Sequence, residues 1–522
     1  MSSLRRNSLE ELLVGAKQLS VLDPDRSKLK PFVILVALWA SLGGLIFGFQ
    51  LTGSGGTFVM EGFKEQFGWI CPESDSQCTP LSESEIETER SLISALMTIG
   101  ATFGALINPR FVEKWGRVSN LRQGNIVFIL GAAICSASST IEVLYAGRFI
   151  SGLGIGMLAL CVPVYIGEVS PATYRGALTT LWQFGVTLGM LTGQGANIGL
   201  AKVEWGWRLS YGANIIFAIM FLVGLFTFLP ESPRYIAAKI SSRVAAEDVE
   251  QPLVTELLAK HESKLRSTMK KLRYEQDVDH SVENIQKEVQ EDIERGDATW
   301  REVFSTEKKM LYRVLLGISI QAFNQLSGNE AINFYSPTIL ESMFGSKSIF
   351  MSFILGIINF VAVCVGILLV DRVGRIPLFL VGGVTMLISQ ICNAIYQSYS
   401  NPSDTVDTLF FASLAIFSFA YHSTWGPLAW DICSEMFPLR ERAKAVGLTT
   451  MSNFLFNTVV AASFSFTIEA SPSGSFAFFC AAIFLNLTLV YLFLPETAHK
   501  TSLEIDRAFS EHKPKLCRGR RD

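Results

Sequence analysis

Between Gln321 and Pro337 the chain reads Gln-Ala-Phe-Asn-Gln-Leu-Ser-Gly-Asn-Glu-Ala-Ile-Asn-Phe-Tyr-Ser-Pro. Five amide side chains (Gln321, Asn324, Gln325, Asn329 and Asn333) and one carboxylate (Glu330) thus sit in an apolar run that starts near Met310. That run is long enough to cross a bilayer. In hydrocarbon each of these groups loses water's hydrogen bonds, at a cost of several kcal/mol apiece. A span tolerates them where they bond across helices, or where they face a wet cavity or a polar ligand. Six polar side chains around a Ser327-Gly328 break exceed what packing requires. The stretch is therefore expected to bind a polar ligand.

The whole composition agrees with a membrane setting. Of 522 residues, 49% are hydrophobic and only 17% charged, too apolar for a soluble chain of this length. A net charge of -3 argues against a nucleic-acid partner. Residues 1–30 are polar and charged, unlike a cleavable signal peptide. The nine cysteines are scattered and match no metal spacing; only Cys71 and Cys78 share a loop, where a disulfide can form. No nucleophile–base pair, metal cluster or phosphate-binding loop is present, so neither an enzyme nor a cofactor is expected.

The elements that must position the polar stretch are apolar runs. Runs of spanning length recur at about 32–56, 90–109, 123–140, 143–166, 178–200 and 208–229. A second set follows at about 310–341, 348–370, 376–397, 407–434, 446–467 and 474–494. The expected fold is an all-α membrane protein of twelve transmembrane helices in two pseudo-symmetric six-helix halves. The halves are 31–230 and 310–495, with tails at 1–30 and 496–522. Residues 231–309 carry 31 of the chain's 91 charged side chains and read as a helical linker. In it, Val282, Ile285, Val289 and Ile293 line one helix face, while 241–255 suits a disordered stretch better.

Loop charge sets the orientation. Residues 58–90 carry eight acids and two bases, whereas the next loop is basic, as are those around Arg372–Arg375 and Arg440–Lys444. By the positive-inside rule the basic loops, the linker and both termini are cytoplasmic.

Three motifs occur twice in the same order. Glu113-Lys-Trp-Gly-Arg117 matches Asp371-Arg-Val-Gly-Arg375, at an offset of 258 residues. Glu168-x-x-Pro171-x-x-x-Arg175 matches Glu435-x-x-Pro438-x-x-x-Arg442, at 267, and Pro230-Glu231-Ser232 matches Pro495-Glu496-Thr497, at 265. The halves are copies. Repeats of this kind place a substrate site at the midplane between halves, with access alternating as the halves rock. The paired charges Glu113, Arg117, Glu168 and Arg175, and Asp371, Arg375, Glu435 and Arg442, are expected to latch the inner side shut.

Together with Gly147-Arg148-x-x-x-Gly152-x-Gly154, Pro163-x-Tyr165, Pro233-Arg234 and Gln325-Leu-Ser-Gly328, this ordered set resembles the signatures of the sugar porters. That family is the hexose-transporting branch of the major facilitator superfamily, and the resemblance covers roughly 32–506. It implies a monosaccharide substrate hydrogen-bonded by Gln183, Asn324, Gln325, Asn359 and Asn453, and Gln321, Glu330 and His422 are expected to bind the substrate beside them. It further implies a ring stacked on Trp430 and an outer gate containing Phe334 and Tyr335. A pyranose suits such a site, since its hydroxyls need fixed donors and acceptors and its C–H face packs on an aromatic ring.

Four positions depart from the family pattern. Asn324 stands where Gln is usual, and Glu330 where Asn is usual. His422 stands where animal glucose facilitators carry Glu. Gln50 stands where proton-coupled sugar symporters carry an Asp that faces the span-four Arg, here Arg148. An amide cannot release a proton at physiological pH, so passive transport is the expected mode. Its alternative is a proton symporter that uses Glu330, with Arg148 retained; a non-transporting sugar sensor is more remote. Glu330 and His422 are expected to line one cavity. The default expectation is a monomer in the plasma membrane.

Overall fold

A helix lets one apolar segment satisfy all its backbone hydrogen bonds internally, which hydrocarbon demands. The computed structural model describes residues 29–71, 79–171, 174–246, 252–294, 299–399, 403–438, 441–497, 500 and 502–511, and among these there is no strand. Spans one to six are Pro31–Thr57, Glu83–Trp115, Arg117–Ala137, Ile141–Val169, Leu181–Leu200 and Gly206–Thr227. Span seven is two helices, Met310–Gln325 and Asn329–Phe344. Spans eight to twelve are Ser348–Val373, Arg375–Tyr396, Asp404–Glu435, Arg442–Ala470 and Pro472–Phe493.

Ten of the described helices are long and apolar enough to cross a membrane. The two remaining spans are five and seven, and the reason is chemical. Span five carries Gln183, Gln194 and Asn197, all buried, and span seven carries the polar stretch and its break. Burial between other helices, rather than apolar composition, makes such segments tolerable in a bilayer.

Two spans are interrupted. In span seven Gly328 has φ +89°, a left-handed conformation that costs a residue with a Cβ about 1–2 kcal/mol. A Cβ there would also lie 2.4 Å from Phe479 Cδ2. Span ten widens into a π-helical turn at Tyr421–Trp425, just before Gly426-Pro427. Such turns leave backbone carbonyls without their usual helical donors and recur at functional sites.

On one face lie the linker helices Pro233–Ala246, Pro252–Leu272 and Val278–Glu294. They bury Ile236, Leu265, Met269, Val278, Val282 and Val289 against one another. Much of the stretch read as disordered, 241–255, is therefore helical, with 247–251 outside the described residues. Helical periodicity there was too weak to read because the turns bear mostly charged and small side chains. The linker is tied to the spans by Lys30 Nζ, which donates to the Lys270 carbonyl at 2.7 Å, and by Arg273 Nη1, which donates to Val169 O at 3.0 Å. A last helix, Ser502–Glu511, docks on the same face. Its Asp506 accepts from fully buried Arg313 at 2.6 Å, and Phe509 stacks on that guanidinium. This face is called the linker face below.

On the far face, the helix Glu61–Gln66 and Trp69 pack with Phe58, Trp207 and Tyr211 into a small aromatic core. Cys71 is disulfide-bonded. Cys78, its expected partner, lies outside the described residues. Span one crosses the second helix of span seven here at backbone distance: a Cβ on Gly55 would sit 2.2 Å from Phe334 O. Gly55→Ala should therefore hold the far face apart. Spin labels at Ser84 and Glu469, one in each half, are expected to report a longer mean distance in this variant than in the native chain.

Candidate functional site

The repeated charge motifs build the same cluster twice. In the first half Arg117 makes a two-pronged pair with Glu168, Nε to Oε2 at 2.9 Å and Nη2 to Oε1 at 2.8 Å. Ser232 Oγ donates to the same carboxylate. Glu231 Oε1 accepts from the backbone N–H groups of Arg117 and Val118, capping span three at 2.9 and 3.2 Å. In the second half Arg375 Nη2 donates to Glu435 Oε1 at 2.9 Å, and Thr497 Oγ1 donates to Glu435 Oε2 at 2.8 Å. Glu496 caps span nine by accepting from the Arg375 and Ile376 N–H groups, each at 3.0 Å. A carboxylate on a helix N-terminus also meets the positive end of the helix dipole.

This geometry revises the expected latch. Both ion pairs lie within a half, so they brace spans three and four, or nine and ten, rather than bolt one half to the other. Arg442 donates from Nε and Nη2 to Phe437 O, at 3.2 and 3.0 Å, closing its own turn instead of pairing with Glu435. Glu113 is exposed at the end of span two and Arg175 opens a short helix, Arg175–Thr179. The Asp371 side chain lies outside the described residues.

At the centre of the molecule the amides sort into two kinds. Some are fully engaged. Gln321 Oε1 accepts from Asn453 Nδ2 at 2.8 Å while its Nε2 donates to Ala429 O at 3.3 Å, joining spans seven, ten and eleven. Asn324 Nδ2 donates to Trp425 O at 3.1 Å and its Oδ1 accepts from Tyr421 Oη at 2.8 Å. It thereby answers the carbonyl that the π-helical turn exposes.

Other groups keep open atoms. Glu330 Oε1 accepts from Asn329 Nδ2 at 3.3 Å, but Glu330 Oε2 and Asn329 Oδ1 are buried without partners. Asn333 Nδ2, Asn359 Oδ1 and Asn457 Oδ1 are in the same condition, although Asn457 Nδ2 donates to Gln325 Oε1 at 3.2 Å. Gln183 reaches span ten, its Nε2 3.6 Å from where a Cβ on Gly426 would be. Trp430 is half-buried on the turn after that break. Towards the far face, Gln194 Oε1 and Ser352 Oγ are likewise unpartnered. They border, with Asn333 and Asn197, a space of about 10 Å3. Open buried polar atoms are uncommon in folded proteins, and a concentration of them marks where a polar ligand or water belongs.

The remaining expected residues separate. His422 Nδ1 bonds Ser418 O of its own helix at 2.9 Å. The ring it touches is Tyr421. Glu330 and His422, expected to line one cavity, form no ion pair with each other. Phe334 and Tyr335 are buried at the crossing of spans seven, one and eleven, with Tyr335 Oη donating to Ala461 O at 2.9 Å. Arg148 is wholly buried; Nε donates to Ile93 O at 2.9 Å, Nη2 to Ser54 Oγ at 3.4 Å, and Tyr211 lies under the guanidinium. Gln50 Oε1 accepts from Asn214 Nδ2 at 3.4 Å.

Sequence reasoning overlooked Gln194, Asn197, Ser352, Tyr421 and Asn457. One signal was available for Asn457. It follows Asn453 by four residues, on the same face of span eleven.

The chain matches the family model described as "Sugar (and other) transporter" over residues 36–509. It is 30% identical to Sugar transport protein 12 of Arabidopsis thaliana over 93% of each chain. It is 30% identical to Sugar carrier protein C of Ricinus communis, over 92% of this chain and 90% of that one. Among solved structures, the proton:xylose symporter XylE bound to 6-bromo-6-deoxy-D-glucose superposes with a TM-score of 0.75. That match covers 92% of this chain and 99% of the other at 23% identity, so it speaks to the fold. The inward-open conformation of the xylose transporter XylE from E. coli gives a TM-score of 0.69 over 91% of this chain and 99% of that one, at 23% identity.

The engaged and the open amides should respond differently to removal. Gln321→Ala strands Asn453 and the Ala429 carbonyl and is expected to cost about 1–3 kcal/mol. Asn359→Ala removes an atom that has no partner and should leave stability unchanged or slightly raised. Thermal unfolding of both purified variants, with no ligand added, measures the difference.

Proposed function

The chain belongs to the sugar transporter family, and we propose that it moves a hexose across a membrane by alternating access, as facilitated diffusion. The observation that supports this reading is the set of buried, unpartnered polar atoms on spans seven, eight and eleven, Glu330 Oε2, Asn329 Oδ1, Asn333 Nδ2, Asn359 Oδ1 and Asn457 Oδ1, with Gln194 of the first half sharing a small space with Asn333. A glucose-like ring presents five hydroxyls and a ring oxygen to such a set, and its C–H face has an indole to lie on. On this reading Gln183, Gln325, Glu330, Asn359 and Asn457 hold the hydroxyls. Gln321, Asn324 and Asn453 hold the binding helices in register, a positioning role rather than a direct one. Phe334 and Tyr335 close the site on the far side.

The arrangement of charge supports an orientation. The linker, both basic clusters and the final helix share one face, which by the positive-inside rule is cytoplasmic together with both termini. The plasma membrane is the proposed location and the monomer the proposed working unit, since one chain supplies both halves of the site.

The proton-coupled reading rests on one residue. Glu330 has an open carboxylate oxygen and no basic partner among the described residues, so a proton, a sugar hydroxyl or water can answer it. Sugar alone suffices for uniport; symport further requires that neither proton nor sugar crosses without the other. Proteoliposomes loaded with alkaline buffer and diluted into acid decide between the two. Equilibration of glucose without accumulation is expected. Accumulation above the external level, abolished by a protonophore and by Glu330→Gln, would establish symport instead.

Two substitutions test the site itself. Gln325→Ala should reduce glucose uptake by at least tenfold in a protein that still folds, because the hydroxyl it serves and Asn457 both lose a partner. Trp430→Ala should weaken glucose binding more than Trp430→Phe, which keeps a ring face. Uptake kinetics for the first and titration of the purified second pair are the measurements; wild-type values in either would remove that residue from the site.

A further inference from the structure

The open atoms of the polar centre are unevenly divided between donors and acceptors. Of the open carboxylate and amide atoms on spans seven, eight and eleven, four are acceptors: Glu330 Oε2, Asn329 Oδ1, Asn359 Oδ1 and Asn457 Oδ1. One, Asn333 Nδ2, is a donor. A hydroxyl that answers an acceptor brings lone pairs that need donors of their own, whereas an ammonium brings three donors and no acceptor. The surplus of acceptors therefore suits a ligand that carries a cation as well as hydroxyls.

One of these acceptors is charged, and no protein cation is set against it. Glu330 Oε1 accepts from Asn329 Nδ2 at 3.3 Å, and the other amide beside the carboxylate is that of Asn333. Glu330 also lies in the first turn of the helix Asn329–Phe344, whose positive end favours the ionised carboxylate. That helix packs on spans one, eight and eleven. These spans carry no charged side chain over Leu42–Thr57, Ser348–Val370 or 445–468. The titratable group that feels the carboxylate is the Tyr421 phenol of span ten, whose hydroxyl donates to Asn324 Oδ1. Arg148, buried in the first half, is held by Ile93 O and Ser54 Oγ instead. A buried carboxylate without a counter-ion is costly, and a ligand that supplies the missing charge gains a bond that a neutral ligand cannot make.

We propose that the substrate is a hexose bearing a protonated amine, with Glu330 as the counter-ion of its ammonium. The proposal rests on the reading of this centre as a hexose site and adds the charge of the hexose. Asn359 and Asn457 then accept hydroxyl protons from the rest of the ring, and Asn333 donates to a hydroxyl oxygen.

Calorimetric titration of the purified full-length protein tests it. The probes are glucose, glucosamine, 6-amino-6-deoxyglucose and N-acetylglucosamine, the last keeping the nitrogen and losing the charge. At about one pH unit below the α-amino range of about 7.7–8.0, at least one amine is expected to bind about tenfold tighter than glucose. N-acetylglucosamine should show no such gain. About one unit above that range the amine is neutral and the preference should disappear. Glu330→Gln should bring the ratio of amine to glucose affinity to about one at both pH values. A native chain that binds glucose but neither amine more tightly would overturn the proposal and leave hexose transport standing. A preference that survives Glu330→Gln, or that survives loss of the amine's charge, would overturn it equally. Failure of the native chain to bind any of the four probes would overturn the hexose reading itself.

Discussion

The structure is governed by the cost of a polar group that has left water and found no partner. In a bilayer bulk solvent does little to relieve that cost, so a buried amide or carboxylate is bonded internally or left to an internal water or a ligand. The centre of this molecule shows both outcomes within a few residues. Gln321 and Asn324 bond through both ends of their amides to spans ten and eleven, and their bonds tie the π-helical turn to the helix before the break in span seven. One to two turns further along, Asn329, Glu330 and Asn333 keep open atoms. A ligand site made this way is prepared by its own framework: the engaged amides fix the backbone from which the open ones project.

The twin charge clusters extend the same logic to the linker face. Superficially they are ion pairs, and exposed ion pairs stabilise little. Here each is tied to a helix N-terminus by a second carboxylate, Glu231 or Glu496, and to a hydroxyl, Ser232 or Thr497. Four groups from three chain segments thus close a small network in each half. Its effect is to make the half move as one body. A rocking mechanism needs rigid halves, and both two-carboxylate clusters lie inside a half, while hydroxyl pairs and the longer Lys64–Glu341 contact, at 3.8 Å, cross between them.

How much of this could be read from the sequence follows from which forces act locally. Span count and the internal repeat were legible because hydropathy and motif order are properties of contiguous residues. The polar stretch of span seven was legible for the same reason, since Ser327-Gly328 and Pro337 announce a broken helix. The division of labour among its amides was not. Whether Asn324 meets a ligand or the Trp425 carbonyl depends on a wide turn a hundred residues away, and nothing in Tyr421–Trp425 announces that turn. For His422 the sequence likewise could not show that its ring nitrogen bonds a backbone carbonyl on its own helix. The charge motifs were expected to latch the inner side because motif spacing gives proximity to a face, not which helices each pair joins.

Energy coupling is decided by what can change charge while the halves move. Arg148 is buried, with Nε on a carbonyl, Nη2 on a hydroxyl and the Tyr211 ring beneath it, and no carboxylate is among these partners. Gln50, bonded to Asn214, is neutral in every conformation. The first half therefore contains, among these groups, a fixed cation and fixed dipoles, and a fixed charge biases a conformation without consuming a proton. Any proton taken up in the cavity would have to be held by the second half, at Glu330. A carboxylate there sits among the atoms assigned to the sugar, so proton and sugar would contend for the same oxygen. Competition of that kind makes the rate depend on pH, while coupling demands that both ligands favour the same state. The chemistry of the two halves together thus favours a carrier that equilibrates its substrate.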